Sequence, residues 1–193
     1  MGRFISSVDT SQTGQIIGPY GRSVAIATCP AIEEYFYPKE TDKRLGLSQR
    51  DVGLHCDVTP RSYALPQRSY VAYDFKGDPY EIGASLPKEE LMSLFEVSVL
   101  LRAHPHLAGD PSFLATKDSI AEYILFNYFF VAGINGPVFI DAAWDDFSDA
   151  RWDWPLEIWN LDAKQITNAV RSREKYPPPW SGRYIFRNRH ATP

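Results

Sequence analysis

SIAEYILFNYFFVAGINGPVFI, residues 119–140, is the most apolar run of this chain, and DAAWDDFSDARWDWPLEIW, residues 141–159, follows it directly. The change of character at residue 141 organises the reading of everything else. In the first half, Ser119-x-x-Glu122 has the spacing of a capping box placed just before the apolar residues. Gly133-Ile134-Asn135-Gly136-Pro137 then interrupts the run with strong turn chemistry. The spacing therefore predicts a helix opening at Ser119, apolar nearly all round and buried on most faces. A tight turn follows at the break, and GPVFID, residues 136–141, is read as a central strand. Residues 123–140 carry no charge and approach the length of a membrane span. The break leaves too short a helix to cross, and Asn127 in its middle suits a protein core, so no membrane span is expected.

Outward from this stretch, other segments read more simply. Strands are expected around residues 4–8, over 23–29 (SVAIATC, closed by Pro30), over 69–75 (SYVAYDF) and over 183–187 (RYIFR). Lys76-Gly77-Asp78-Pro79 reads as a turn, and residues 38–69, with Pro38, Pro60 and Pro66, read as irregular. A helix is expected over 87–103, with proline in its first turn and Glu89 and Glu90 at the positive end of its dipole. Leu91, Leu94, Phe95 and Leu101 recur along it at helical spacing, and Pro105 should stop it. A last helix is expected at about 162–175, with Ile166, Ala169 and Val170 as its buried stripe. Leu94, Phe95, Leu101, Ile124, Leu125, Phe129, Val138 and Ile140 form the expected core. Strands before, between and after three helices, without regular alternation, predict an α+β fold. The expectation is a single domain over residues 1–193, with a mixed or antiparallel sheet packed against about three helices.

Composition agrees with that class. The chain has 193 residues, of which 44% are hydrophobic and 23% charged, which is ordinary for a globular protein. A chain of this length buries enough surface to need neither disulfides nor metals. The formal net charge of −4 is unevenly spread. Residues 141–159 hold six acids against Arg151, whereas Lys and Arg dominate from residue 161 onward. Such asymmetry points first to two segments lying near one another. The acidic total and the short basic tail (Arg187, Arg189, His190) argue against nucleic acid as a partner. With Cys29 and Cys56 the only cysteines, no disulfide framework is expected. No basic, apolar leader is visible, which makes the cytoplasm the expected location. Residues 1–6 match the minimal myristoylation pattern, but no basic cluster or second acylation signal accompanies them.

Signatures of the familiar enzyme classes are missing. There is no glycine-rich phosphate loop, nucleophile elbow, His-Glu-x-x-His, EF-hand loop or Cys-x-x-Cys. No cofactor and no metal site are expected. His104 and His106 follow the predicted helix with Asp110 close behind, and two imidazoles plus a carboxylate are weak candidates for a metal-assisted or acid–base site. Histidines at the carbonyl end of a helix are also favourable there without any chemistry. His55-Cys56-Asp57 places reactive types side by side, but on an extended segment Cys56 points away from its neighbours, so a structural thiol is expected.

The acidic stretch holds four of the five tryptophans, Trp144, Trp152, Trp154 and Trp159. Each indole carries on the order of 200 Å² of surface that must be covered or used. They either roof the core or anchor a partner. A helical reading would set Asp141, Asp145 and Asp149 on one face, as for a hard cation, although no glycine turn of a calcium loop accompanies them. The functional expectation is a non-enzymatic, protein-binding domain presenting an acidic, tryptophan-rich surface to a basic protein partner, as an inhibitor or an immunity protein does. Asp141, Trp144, Asp145, Asp146, Asp149, Trp152, Asp153 and Trp154 are its binding residues. The alternatives are a small hydrolytic or metal-assisted enzyme using His104, His106 and nearby carboxylates, and a structural subunit of a larger assembly.

Overall fold

A computed structural model describes residues 2–10, 15–17, 23–25, 49–57, 68–107, 113–115, 126–145, 158–167 and 180–188. Its centre is an eight-stranded sheet of β1 (Arg3–Thr10), β2 (Gln15–Ile17), β3 (Ser23–Ala25), β4 (Ser69–Gly77), β5 (Asn127–Gly133), β6 (Gly136–Asp145), β7 (Ile158–Gln165) and β8 (Trp180–Arg187). The spatial order is β3-β2-β1-β4-β8-β5-β6-β7. β5 and β8 run parallel, and the other neighbouring strands are antiparallel. The helices among the described residues are α1 (Gln49–His55), α2 (Pro79–Ser85) and α3 (Leu94–Leu107), with a 3-10 turn at Lys88–Glu90. The expected α+β class is therefore present, with a mixed sheet and three helices among the described residues. The placement of the elements differs from the sequence reading at several points.

The largest correction falls on the opening stretch. Residues 127–133, expected as helix, are strand β5, paired with β6 from Asn127↔Ala142 to Gly133↔Gly136. The turn was placed correctly, and it is the two-residue turn of a hairpin, with Gly136 at φ 122° in the region that glycine favours. A strand in the middle of a sheet buries both faces and so loses its polar alternation, which makes it look like a buried helix from periodicity alone. β5 does this. Phe129 and Val131 enter one core, Tyr128 and Phe130 the other, and all four are buried.

The helix expected at 162–175 is also overturned where it can be compared, because residues 162–165 belong to β7. Leu161 and Ala163 are buried in the core while Asp162 and Lys164 are not, which is the period of two that a strand requires. Residues 168–175 lie outside the described set, as do 119–125 with the proposed capping box, Ile124 and Leu125. The helix expected over 87–103 is broken. Met92 donates its N–H to the Phe130 carbonyl at 2.8 Å and accepts from Ala132 N–H at 2.9 Å, so its backbone belongs to the sheet. A new helix starts after it, and Ser93 and Glu96 form the capping box. Glu96 N–H donates to Ser93 Oγ at 3.2 Å, and Ser93 N–H donates to Glu96 Oε2 at 2.7 Å. Pro105 does not stop α3, which runs on to Leu107. The turn read at residues 76–79 instead opens α2, where Asp78 Oδ1 accepts from Tyr80 N–H and Pro79 sits in the first turn.

Two cores result. On one face of the sheet, α1 and α3 cover Val8, Tyr70, Ala72, Phe129, Ile140 and Ile185. Leu94, Leu101, Phe129, Val138 and Ile140 of the expected core are here, with Phe95 packed against its margin. On the opposite face, Tyr80 of α2 packs edge-on to Phe139 with ring centroids 4.9 Å apart. Around them lie Tyr128, Phe130, Tyr184 and, partly buried, Phe75 and Trp180.

Candidate functional site

Both ends of the acidic, tryptophan-bearing stretch are strand, with residues 141–145 on β6 and 158–159 on β7. β6 and β7 pair from Val138↔Gln165 to Asp145↔Ile158, with Asp141 opposite Asp162 and Trp144 opposite Trp159. β7 is the last of the described strands in the sheet order. Asp141, Trp144 and Asp145 thus lie on β6. The side chains of Trp144 and Asp145 fall outside the description, as do Asp146, Asp149, Trp152, Asp153 and Trp154 entirely. The helical cation alignment of Asp141 and Asp145 does not form, because four strand residues at about 3.3 Å each set the two about 13 Å apart along β6. Among the described residues no group of three or more His, Cys, Asp and Glu side chains is arranged to hold a metal ion.

Asp141 is mostly buried and pairs with Lys164 Nζ at 3.2 Å, and Lys164 also lies 3.5 Å from Asp162. The same ammonium sits 5.3 Å from the centroid of Trp180 and 5.8 Å from that of Phe139, within cation–π range. Trp180 is the one tryptophan outside the acidic stretch, and it stacks on Tyr128 at 6.3 Å. Burial, with Tyr184 and Asp141 nearby, pushes the Tyr128 hydroxyl well above its ordinary pKa. So the base of the hairpin is an aromatic floor with two carboxylates bridged by a lysine. The pairing of Asp141 with Lys164 bears out, for that one cation, the expectation that acidic and basic segments meet. Arg183 and Arg187 do not follow it.

Arg183 forms a two-pronged pair with Asp74 at 2.7 and 2.9 Å. Arg187 belongs to a second charged cluster that the sequence reading missed. Glu96 is 2% exposed, yet ionised groups surround it. Arg187 donates to it through Nε at 3.1 Å and through Nη2, while Nη1 donates to the Glu89 carbonyl at 2.7 Å. Tyr70 donates its hydroxyl to Glu96 Oε1 at 2.6 Å, Ser93 supplies N–H and Oγ–H at 2.7 and 2.9 Å, and Arg68 stands 3.8 Å away. Burial alone would raise the Glu96 carboxyl; the bonds from Arg187, Ser93 and Tyr70 outweigh it and hold the group below the usual carboxylate range. Burial, with Glu96 alongside, pushes the Tyr70 hydroxyl up in turn. The signal for this cluster was available, since Ser93-x-x-Glu96 is a capping box in plain sequence, but its arginine lies 91 residues away.

Beside Arg187 is a cleft of about 310 Å³, walled by Leu91, Met92, Leu94, Phe95 and Ala132 and by the polar Asp57, Ser93 and Arg187. The weak catalytic candidates are not among its described lining residues. His104 and His106 are within α3 rather than after it, and helical positions two apart do not share a face. Their side chains, and Asp110, lie outside the described residues. Cys56 is buried and its thiol is pushed up to about 12 by desolvation, so it is a packing group and not a nucleophile. His55 ends α1 and is not on an extended segment.

The chain matches no protein-family model, no curated protein and no solved structure. Among the described residues no helix is long and apolar enough to cross a membrane.

Proposed function

We propose that this chain acts in the cytoplasm as a non-enzymatic, single-domain binding protein that docks the β6–β7 hairpin onto a basic protein partner, as an inhibitor or immunity protein does. The observation that supports the reading is the pairing of β6 with β7 at the end of the sheet. It makes residues 141–145 and 158–159, the two ends of the acidic stretch, paired strands at the border of the described sheet. The chain's own arginines Arg183 and Arg187 are meanwhile bound to Asp74 and Glu96. Carboxylates around an aromatic anchor suit a basic partner, because rim charges steer encounter while the desolvated indole carries the affinity.

The test is affinity capture with the full chain, followed by titration of the captured partner against the wild type and against Trp144→Ala, Trp152→Ala and Trp154→Ala. The partner is expected to be basic, and binding should weaken as salt shortens the electrostatic range to about 10 Å at 0.1 M. At least one alanine variant should lose about 2 kcal/mol of binding with its melting temperature nearly unchanged. If all the indoles are shielded from a soluble quencher and each variant unfolds early, the tryptophans are a roof on the core and the reading fails.

A further inference from the structure

β8 runs beside β5 only from Asn127↔Arg183 to Phe129↔Ile185. Further on, Met92 takes its place, donating to the Phe130 carbonyl and accepting from Ala132 N–H. The carboxyl ends of these two parallel strands therefore part, and the cleft of about 310 Å³ opens beside Arg187. Carboxyl ends of parallel strands are where sheets characteristically hold ligands, and this volume lies at the small end of ligand pockets.

The described walls narrow the ligand. Leu91, Met92, Leu94, Phe95 and Ala132 are apolar, while Asp57, Ser93 and Arg187 are polar. Ser93 gives its N–H and its hydroxyl to Glu96, and Asp57 is engaged already. Arg187 differs from both. Of the five N–H groups of a guanidinium, it commits Nε–H and one on Nη2 to Glu96, and one on Nη1 to the Glu89 carbonyl. One N–H remains on each terminal nitrogen, and a donor beside apolar carbon calls for an acceptor. The better acceptor is uncharged. Arg187 already shares its charge with the buried Glu96 carboxylate, so an anion at the same guanidinium would compete with that pair. A carbonyl oxygen accepts without adding charge. We propose that this cleft binds a small, uncharged, mainly apolar carbonyl compound, such as a ketone, ester or lactone, with its oxygen accepting from Arg187 and its hydrocarbon against Met92, Leu94 and Phe95. Neither the Asp57 carboxylate nor the β6–β7 hairpin takes part, so the site stands apart from the docking reading.

Acetophenone is the probe. Benzoate and benzylammonium keep its size but carry a charge, and toluene lacks the oxygen. Each is titrated into the full chain by ligand-observed NMR, with the protein isotopically labelled at its methionine methyls. Met1 and Met92 are the only methionines of the chain, and Met92→Leu tells their signals apart. Acetophenone should bind with a Kd of about 10 mM or below and move the Met92 signal, and each analogue should bind about tenfold more weakly. Ala132→Phe, at an exposed position on the lining, should fill the cleft and abolish binding without lowering the melting temperature. The Met92 signal carries the test should that substitution disturb the fold. The proposal is overturned if acetophenone does not bind, binds without moving the Met92 signal, or binds a folded Ala132→Phe protein as it binds the wild type. Benzoate, benzylammonium or toluene binding as well as acetophenone overturns it too.

Discussion

Glu96 and Lys164 stand on opposite sides of the same sheet, each an ion in apolar surroundings, and they are handled in opposite ways. Glu96 is 2% exposed and receives hydrogen bonds from Arg187, Ser93 and Tyr70. Lys164 keeps 22% of its side chain in water, lies over two aromatic rings and shares its charge between Asp141 and Asp162. A carboxylate with no access to water must have every oxygen answered, because each unmet bond costs the full desolvation of the group. A lysine keeps its head wet and lays its stem along aromatic carbon, so it needs less from its neighbours. The Glu96 side of the sheet is therefore a lock, joining α3 to β4 and β8. The Lys164 side is a surface with a charged, aromatic grain.

The largest effect should come from breaking the lock. Glu96→Gln leaves Arg187 with an unanswered buried charge and should destabilise by about 3–5 kcal/mol in a denaturant titration. The same carboxyl sets an acid dependence. Because its folded pKa is depressed, its contribution is fully present above the ordinary carboxylate range and is lost as pH falls through the folded value. Wild-type stability should decline in acid, and the decline should be smaller in Glu96→Gln. An equal decline in both would place the acid-sensitive group elsewhere.

On the aromatic side the sensitive position is a glycine and not an ion. A methyl group at Gly83 of α2 would overlap Ile166 Cδ1 and come within 2.9 Å of Phe130 Cδ1. Gly83→Ala should therefore cost about 1–3 kcal/mol through overpacking, although alanine is the better helix former. A more stable Gly83→Ala protein would mean that α2 does not press on this face. The smallest effect is expected from Lys164→Ala, about 1 kcal/mol or less, for a half-wet ion pair with a cation–π contact. A loss comparable with that of Glu96→Gln would erase the contrast between the two sides.

How much of this was readable depends on how local the physics is. β1, β4 and β8 were found from their β-branched and aromatic runs, and the turn at 133–137 from its glycines and proline. β5 was misread for a physical reason. Buried on both faces, Tyr128, Phe129, Phe130 and Val131 show no polar alternation, and apolar residues without a period fit a helix equally well. Its neighbour β7 showed the alternation in Leu161, Asp162, Ala163 and Lys164, but the apolar spacing of Ile166, Ala169 and Val170 was read back over it. Asp141 was chosen as a binding residue and pairs with Lys164, because the register sets Asp162 opposite Asp141 and so brings Lys164, two residues further along β7 and expected on a helix, within its reach.

By itself, then, the chain determines the short-range features: the cap at Asp78, the Ser93 and Glu96 box, the glycine turn of the β5–β6 hairpin, and the apolar runs that must be buried. Only the tertiary structure decides that β8, last in sequence, enters the sheet between β4 and β5, that Met92 parts β5 from β8, and that Arg187 reaches Glu96. The reason is range. A cap or a turn is settled by groups a few bonds apart. The partner of a buried carboxylate is settled by which distant strand can fill the sheet, and no pattern within either segment records that choice.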